Sequence, residues 1–195
     1  MVVEALVTNP KWQQADTETQ SILGWAALLH DIAKPLTTVA DDGRIRSPRH
    51  ALKGASMVQN LLYEQFPLDL SPIPLAQRLK IIALVRYHGL PLWFWDKEDA
   101  QHAVIRASHD VSCEWIALLA EADVHGRICD DQQDLLERVS LFREFCAEND
   151  CLIQSYPFHS PISRFQYFQD PTKHPTYQAY DDSSSQVIMM SGLPG

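Results

Sequence analysis

The stretch "LLHDIAKP", Leu28 to Pro35, places an imidazole beside a carboxylate inside an otherwise apolar run. The residues before it recur at three- and four-residue steps, which is typical of a helix buried along one face. The apolar positions of that face are Ile22, Leu23, Ala26, Leu29 and Ala33. We predict a helix over 16–33 that is capped by Asp16 or Thr17 and ended by Pro35.

His30 and Asp31 in that stretch admit two interpretations. Neighbouring side chains on a helix diverge by about 100°, so the two cannot hold one ion as an i, i+4 pair would. They can do so when the helix runs tangentially past the ion and each side chain reaches it from one side. In the other interpretation His30 is a hydrogen-bonded core histidine and Asp31 a solvated residue at a helix end.

Three further candidate ligands lie at predicted helix ends in similarly apolar settings. His50 follows a loop and begins a helix, His88 ends one in "LVRYHGLP", and Asp123 comes near the end of "WIALLAEADVHGR". Three imidazoles and two carboxylates suit one or two divalent ions, without distinguishing Mn, Ni, Co, Zn, Fe and Mg. Such a centre activates water and polarises a phosphoryl oxygen.

The order of these motifs resembles that of the HD-domain metal-dependent phosphohydrolases. The matching segments begin with "HDIAKP" at His30 and "HALKGASM" at His50, and continue with "VRYHGLP" around His88 and "AEADVHGR" around Asp123. The resemblance covers residues 1–150. It implies an all-α helical bundle with a metal centre in its middle and an irregular C-terminal extension after it.

The resemblance also implies a role for each of these side chains. His30, Asp31 and Asp123 would be metal ligands. His50 and His88 would bind a second metal ion or contact the scissile phosphate. All five are therefore candidate ligands, and Asp31, His50 and His88 are candidate catalytic residues as well.

Basic residues near the motifs are candidates for contacts with a phosphate. Lys34 resembles the family lysine beside the substrate phosphate, and is a candidate catalytic residue; alternatively it is a solvated cation favoured by the helix dipole. Arg86 and Arg127 could pair with phosphate oxygens or form surface ion pairs. His125 is interpreted as lying behind the ligands or on the surface.

One departure from the family concerns the start of the chain. The family's first metal-binding histidine stands just before a segment that resembles "MVVEAL", yet no histidine precedes His30 here. We expect either that the natural start lies upstream or that the metal site is incomplete. The opening helix over 1–7 has no capping residue, which favours truncation.

Composition restricts the class of protein. The 195 residues are enough for one buried domain, with or without a tail. The net charge of −9 excludes a generally basic nucleic-acid-binding surface, although a local basic patch can still hold a phosphate. With no signal peptide and no long apolar run, we expect a soluble cytoplasmic protein that does not interact with a membrane.

The four cysteines form no C-x-x-C pair and have no regular spacing. We expect them to be free structural thiols in a reducing compartment. They are Cys113, Cys129, Cys146 and Cys151.

Apolar periodicity predicts five further helices, over about 50–66, 75–87, 97–108, 112–124 and 131–149. Turn residues in 37–48 predict a loop or a small hairpin. Within "LPLWFWDKED", residues 90–99, the aromatic side chains either wall a substrate pocket or seal a helix junction.

The C-terminal part has a different composition. Residues 151–185 are rich in aromatics, proline and serine without a helical period, and predict an extension or linker whose rings stack on nucleobases or pack against the domain. Residues 186–195 contain "VIMMSGLPG", which predicts a strand entering a P-loop, or an ordinary turn. Gly192 and Gly195 would belong to that nucleotide-binding loop.

An HD module followed by a P-loop resembles the bacterial HD-type polynucleotide kinases of RNA repair. The resemblance implies that the HD module removes a 2′,3′-cyclic phosphate or a 2′-phosphate at RNA ends. We expect no kinase activity, since the P-loop lysine is absent. RNA 3′ ends or nucleotides would be the partners, and the oligomeric state stays open.

Two alternatives to this function remain. The first is an HD nucleotidase or phosphodiesterase that acts on free or cyclic nucleotides. The second is a non-catalytic HD fold that serves as a binding or dimerisation module.

Overall fold

Helices form nearly all of the regular structure in the computed structural model, which describes residues 1–41, 44–65, 73–170 and 172–181. The predicted all-α fold is confirmed. The chain divides into one compact unit over Met1–Tyr156 and a second unit that begins at Pro157. All candidate ligands lie in the first unit.

The helices of the first unit follow one another with short connections. They are α1 (Val2–Thr8), α2 (Pro10–Gln13), α3 (Thr17–Leu29), α4 (Lys34–Thr37), α5 (His50–Asn60), α6 (Leu75–Tyr87), α7 (Leu90–Trp93), α8 (Ala100–Asp110), α9 (Cys113–His125) and α10 (Gln132–Glu148). A π-helical turn, Leu61–Gln65, continues α5, and a 3-10 turn, Phe94–Asp96, follows α7. Strands β1 (Val39–Asp41) and β2 (Arg44–Arg46) pair antiparallel, with Ala40 opposite Ile45.

Helix α9 lies at the centre of the first unit. Almost every residue from Ile116 to Val124 is buried, because most of the helix surface is apolar and packs against α1, α3, α6, α7 and α10. Asp123 is a charged exception within this buried run, with 2% of its surface exposed. A carboxylate so deep in an apolar helix requires partners, since burying an unpaired charge is costly.

Helix α3 ends four residues earlier than predicted. Asp16 caps it as expected, because its carboxylate accepts from the Thr19 amide at 2.8 Å. After Leu29 the backbone turns through i, i−3 hydrogen bonds, and Pro35 lies in the first turn of α4 instead of only ending a helix. His30 and Asp31 therefore lie at a turn between two helices and not on one continuous helix.

Gly54 allows α5 to pack closely beside that turn. A Cβ atom added at Gly54 would lie 3.3 Å from the Val85 side chain of α6 and 3.7 Å from the His30 carbonyl oxygen. The absent side chain thus lets α5 approach both elements, which brings their helix ends together.

The second unit contains helix α11 (Pro161–Gln169), which periodicity did not predict. Its start is local in origin: the Ser160 hydroxyl accepts from the Ser163 amide, and Pro161 occupies the first turn. The rings of Phe158, Tyr167 and Phe168 contact one another within this unit. Gly192 and Gly195, and with them the predicted P-loop, lie outside the described residues.

Candidate metal centre

Three histidines converge from three helix ends, and each ring is held in the same way. His30 caps the end of α3, His50 begins α5 and His88 caps the end of α6. In each case Nδ1 lies 2.8 Å from the carbonyl oxygen three residues earlier. A carbonyl can only accept, so Nδ1 carries the proton and Nε2 is left to bind a cation. Metal-ligating histidines characteristically make this second hydrogen bond.

The Nε2 atoms of His50 and His88 face each other at 3.1 Å. With both Nδ1 atoms protonated, the neutral rings would direct two lone pairs at each other. A proton or a metal ion is needed to make this approach favourable, which is the first sign that these residues fit a metal ion.

Asp31 lies between the three rings. Its carboxylate is 3.1 Å from His30 Nε2, 3.5 Å from His50 Nε2 and 3.9 Å from His88 Nε2. Two overlapping groups of ligand atoms result: Asp31 with His50 and His88, and Asp31 with His30 and Asp123. A carboxylate shared by two such groups can bridge two ions as well as bind one.

Two buried atoms of this group lack a hydrogen bond within the described part of the chain. They are His30 Nε2 and Asp31 Oδ1. His30 Nε2 lies 3.1 Å from Asp31, close enough for an ion pair but without hydrogen-bond geometry. Because buried polar atoms are normally satisfied, two orphaned ligand atoms side by side fit a divalent ion.

Two cations pair with the carboxylates of the centre. Lys34 Nζ lies 2.5 Å from Asp31 Oδ2, and the Arg127 guanidinium binds both oxygens of Asp123. Arg127 therefore makes a partly buried ion pair with a candidate ligand, instead of the surface pair considered from the sequence. A metal ion at Asp123 would compete with this guanidinium.

The protonation of the rings follows from these contacts. Burial lowers the pKa of His88 to about 4, so this ring is neutral at neutral pH. Burial also acts to lower the pKa of His30, but the neighbouring carboxylates of Asp123 and Asp31 outweigh it and raise the pKa to about 9. Despite burial, the neighbouring His30 imidazole and Lys34 ammonium hold the pKa of Asp31 well below its usual range. The ligand set thus contains a proton on His30 that a metal ion must displace.

A cavity of about 1000 Å³ opens beside His50 and His88. Among its described lining residues there are six cations and no carboxylate. The cations are Lys34, Arg49, Arg86, Lys97, Arg106 and Arg127. In a chain with a net charge of −9, this concentration of positive charge provides a site for an anion.

The sequence left open whether the aromatic segment after His88 walls a substrate pocket or seals a helix junction, and in the structure it does both. Trp93 is 51% exposed and lines the cavity, together with Leu90 and Leu92. Phe94 is fully buried and packs against Phe142. The segment therefore walls the cavity with one aromatic residue and seals a helix junction with the next.

The remaining basic residues considered from the sequence lie in different surroundings. Arg86 lines the cavity, where it could reach a phosphate, whereas His125 is exposed at the end of α9. The cavity also contains three basic residues that the sequence motifs did not indicate, Arg49, Lys97 and Arg106. Arg49 had a detectable signal, since it directly precedes His50; its left-handed backbone, φ 56°, turns the chain into α5.

Comparison with known families agrees with this geometry. A family model described as HD domain matches residues 10–108, about half of the chain, including His30, Asp31, His50 and His88. The chain belongs to the HD domain family. HD domains are in general metal-dependent phosphohydrolases, and they bind divalent metal ions. A search of curated proteins and a search of solved structures gave no match.

The HD match ends before Asp123 and Arg127. The structure places an Asp123 oxygen 3.5 Å from His30 Nε2 and pairs Asp123 with Arg127. Within the described ranges, none of the helices has the length and apolar character needed to cross a bilayer.

Proposed function

We propose that this HD domain is a metal-dependent phosphoesterase that hydrolyses a 2′,3′-cyclic phosphate or a 2′-phosphate at RNA ends. The observation that carries the proposal is the cation-lined cavity beside the His and Asp donors. A divalent ion held by His30, Asp31, Asp123, His50 and His88 would supply Lewis-acid charge and lower the pKa of water.

The size of the cavity favours a nucleotide over a bare phosphate. A volume of about 1000 Å³ lies at the upper end for small-molecule sites. Trp93 offers an exposed ring on which a base can stack, and six cations surround the space for phosphates. A terminal nucleotide with its neighbouring phosphate fits this combination.

The acidic net charge favours recognition of an end. A long duplex is bound by neutralising many phosphates over an extended surface. Here the cavity gathers its cations in one place, while the chain as a whole carries −9. A strand terminus can present its phosphate to such a cavity without extended contact.

Each residue of the centre receives a role in the proposed reaction. Asp31 would help to hold the ion and would accept a hydrogen bond from the attacking water, which would orient that water. Lys34 lies 2.5 Å from Asp31 and lines the cavity, so it can move to a phosphoryl oxygen and stabilise the charge that develops there. Arg127 can make the same exchange from Asp123 to a phosphate.

The RNA-repair part of the proposal also rests on sequence. The segment with Gly192 and Gly195 resembles the start of a P-loop, and an HD module beside such a loop is typical of HD-type polynucleotide kinases. This resemblance, together with the cavity, favours a nucleic-acid end as the substrate over free metabolites.

A panel of substrates tests the proposal. The purified chain, loaded with Mn²⁺, Ni²⁺, Co²⁺ or Mg²⁺, is assayed on oligoribonucleotides ending in 2′,3′-cyclic phosphate or 2′-phosphate. Deoxynucleoside triphosphates and 3′,5′-cyclic nucleotides are the comparison substrates. We expect metal-dependent release of phosphate or opening of the ring at the RNA ends.

Hydrolysis of only the comparison substrates would replace the proposal with a nucleotidase. Absence of metal binding and of all hydrolysis would indicate a non-catalytic binding module. Asp31→Ala controls for contaminating phosphatases, since the variant removes the central carboxylate, and activity that survives it does not come from this centre.

A further inference from the structure

Three cysteines gather at the end of α9 opposite Asp123. Cys113, Cys146 and Cys151 are each 0% exposed, and their sulfur atoms all lie within 4.8 Å of one another. All four cysteines of the chain are free thiols, and Cys129 stands apart from this group. We propose that the three clustered cysteines bind a thiophilic divalent ion such as Zn²⁺, in a site separate from the HD centre.

The end of α10 explains how two of these thiols meet. The Cys151 amide donates to the Cys146 carbonyl at 2.9 Å, and the Asp150 amide to the Ala147 carbonyl at 3.0 Å. With Asp150 in the left-handed region, φ 51°, these bonds form a Schellman motif. This motif brings the residue after the turn back onto the last turn of the helix, so Cys151 lies against Cys146.

The third thiol comes from the first turn of α9. The Glu114 amide and the Ser112 hydroxyl both donate to the Leu152 carbonyl, at 2.9 Å and 3.2 Å. These bonds tie the start of α9 to the chain just after Cys151. Cys113 is therefore held beside the other two by hydrogen bonds from the residues on both sides of it.

The separation of the sulfur atoms suits a metal ion. Zinc–sulfur bonds of about 2.3 Å place tetrahedral thiolates about 3.8 Å apart. Sulfurs that already lie within 4.8 Å need to shift by about 1 Å or less. Disulfide-free thiols brought this close in a dry interior form the soft donor set that selects zinc and related ions.

The charge and the protons of the three thiols can be balanced when a divalent ion binds. A divalent ion that binds three thiols forms three metal–sulfur bonds, releases three protons to solvent, and leaves a complex with one negative charge. Cys113 lies at the N-terminal end of the 13-residue helix α9, whose dipole favours negative charge.

Cadmium titration of the full chain tests the site. Thiolate-to-cadmium charge transfer absorbs in the ultraviolet, and the HD centre does not contribute because it contains no thiol. We expect this absorption to saturate at one ion per chain and to be reversed by Zn²⁺. Cys146→Ala should lose the absorption, while the matched variant Cys129→Ala should retain it, with circular dichroism confirming that both fold.

Two results would overturn the proposal. One is wild-type protein without the charge-transfer absorption; the other is absorption that Cys146→Ala leaves unchanged, and in either case the thiols are only core packing. If Cys146→Ala does not fold, X-ray absorption of the zinc-loaded wild-type chain decides. Sulfur scatterers around the zinc support the site, and a shell of only nitrogen and oxygen refutes it.

Discussion

The two ends of α9 carry different kinds of metal-binding groups on one helix. Cys113 in its first turn and Asp123 in its last turn are ten residues apart, about 15 Å along the axis. The N-terminal end is closed and surrounded by thiols, whereas the C-terminal end adjoins the cavity that contains Lys34 and Arg127.

This difference suits the cavity end of α9 to catalysis and the thiol end to stabilising the fold. A centre that turns over substrate needs an entrance and mobile cations, and Lys34 has 39% of its side chain exposed. A structural metal site needs neither, and the three buried thiols would supply three of the four protein ligands that structural zinc sites have. One buried helix can thus support chemistry at one end and hold the bundle together at the other.

The largest effect should come from a carboxylate at the cavity end. Asp123→Asn should lower metal-dependent hydrolysis by more than about a hundredfold, the upper end of the losses caused by removing outer-shell partners of a metal. Glu114→Gln, the same change at the other end of α9, should leave kcat near wild type because Glu114 pairs with Lys11 and Arg143, away from the candidate ligands. Steady-state kinetics with each folded variant would measure this, and equal losses would contradict the separation of the two ends.

The second largest loss of activity should come from substitution of Lys34. Lys34→Met should reduce kcat by about a hundredfold, as removal of one donor to a developing charge does, without loss of bound metal. Lys53→Met, a matched change on the exposed side of α5, should have no effect. Retention of wild-type kcat in Lys34→Met would show that Lys34 only neutralises Asp31.

Metal binding at the cavity end should tighten as the pH rises. In the metal-free protein His30 keeps its proton up to about pH 9, and the ion must displace it. The apparent affinity should therefore increase by about tenfold per pH unit from about pH 7 up to that pKa. The same raised pKa stabilises the metal-free fold fully below the unfolded value of 6.5, and this contribution is lost as the pH rises through about 9.

Calorimetry in buffers of different ionisation enthalpy would count the protons released. Exposed His125 provides the control, since His125→Ala should leave the number of protons released on metal binding unchanged. Binding without proton release above pH 7 would contradict the assignment of His30 as a protonated ligand.

Two tryptophans test whether the cavity holds a base. Trp93→Ala should raise KM for an RNA end by about tenfold, the scale of one lost stacking contact. Trp95 is similarly exposed, but it packs on Phe94 and Phe145 and does not line the cavity. Trp95→Ala should therefore leave KM unchanged, and a substrate preference that survives Trp93→Ala would rule out stacking on this ring.

The smallest effect concerns how α1 packs on the cavity end of α9. A Cβ atom at Gly126 would lie 2.6 Å from the Val2 amide nitrogen, so Gly126→Ala should lower the free energy of unfolding by about 1–3 kcal/mol. Gly24 in α3 has no neighbour within 4 Å of such an atom, and Gly24→Ala should raise it by up to about 1 kcal/mol. Thermal denaturation of the two variants would measure both changes in the free energy of unfolding. If Gly126→Ala leaves that free energy unchanged, α1 can shift away from α9 without loss of stability.

The helices and the motif residues of the HD centre could be predicted because both are local patterns. Periodicity gave α6 at its exact bounds, 75–87, and the "HDIAKP" motif indicated the family that the HD match confirms. The end of α3 could not be predicted, since a proline permits either a stop or a new first turn. The ion pair of Asp123 with Arg127 is a local i, i+4 contact, but the gathering of the cavity's cations from several elements depends on tertiary packing.

The cysteine cluster illustrates the same limit at the other end of α9. Cys146 and Cys151 are five residues apart, a spacing without a standard metal-binding motif. They meet only because Asp150 adopts a left-handed conformation, and Cys113 joins them from another helix. A search for C-x-x-C pairs therefore finds nothing, although the fold assembles three thiols.

Each of the three histidine rings donates to a carbonyl within its own turn. These hydrogen bonds determine which sequence changes the HD centre can accept during evolution. Each ring is oriented by its own helix end, so side chains in the middle of α3, α5 and α6 can vary without rotating a ligand. Insertion or deletion of one residue inside such a turn would swing the ring by about 100° and remove it from the centre. Length changes should therefore be accepted in the hairpin that joins α4 to α5 and rejected within the three turns that end in His30, His50 and His88.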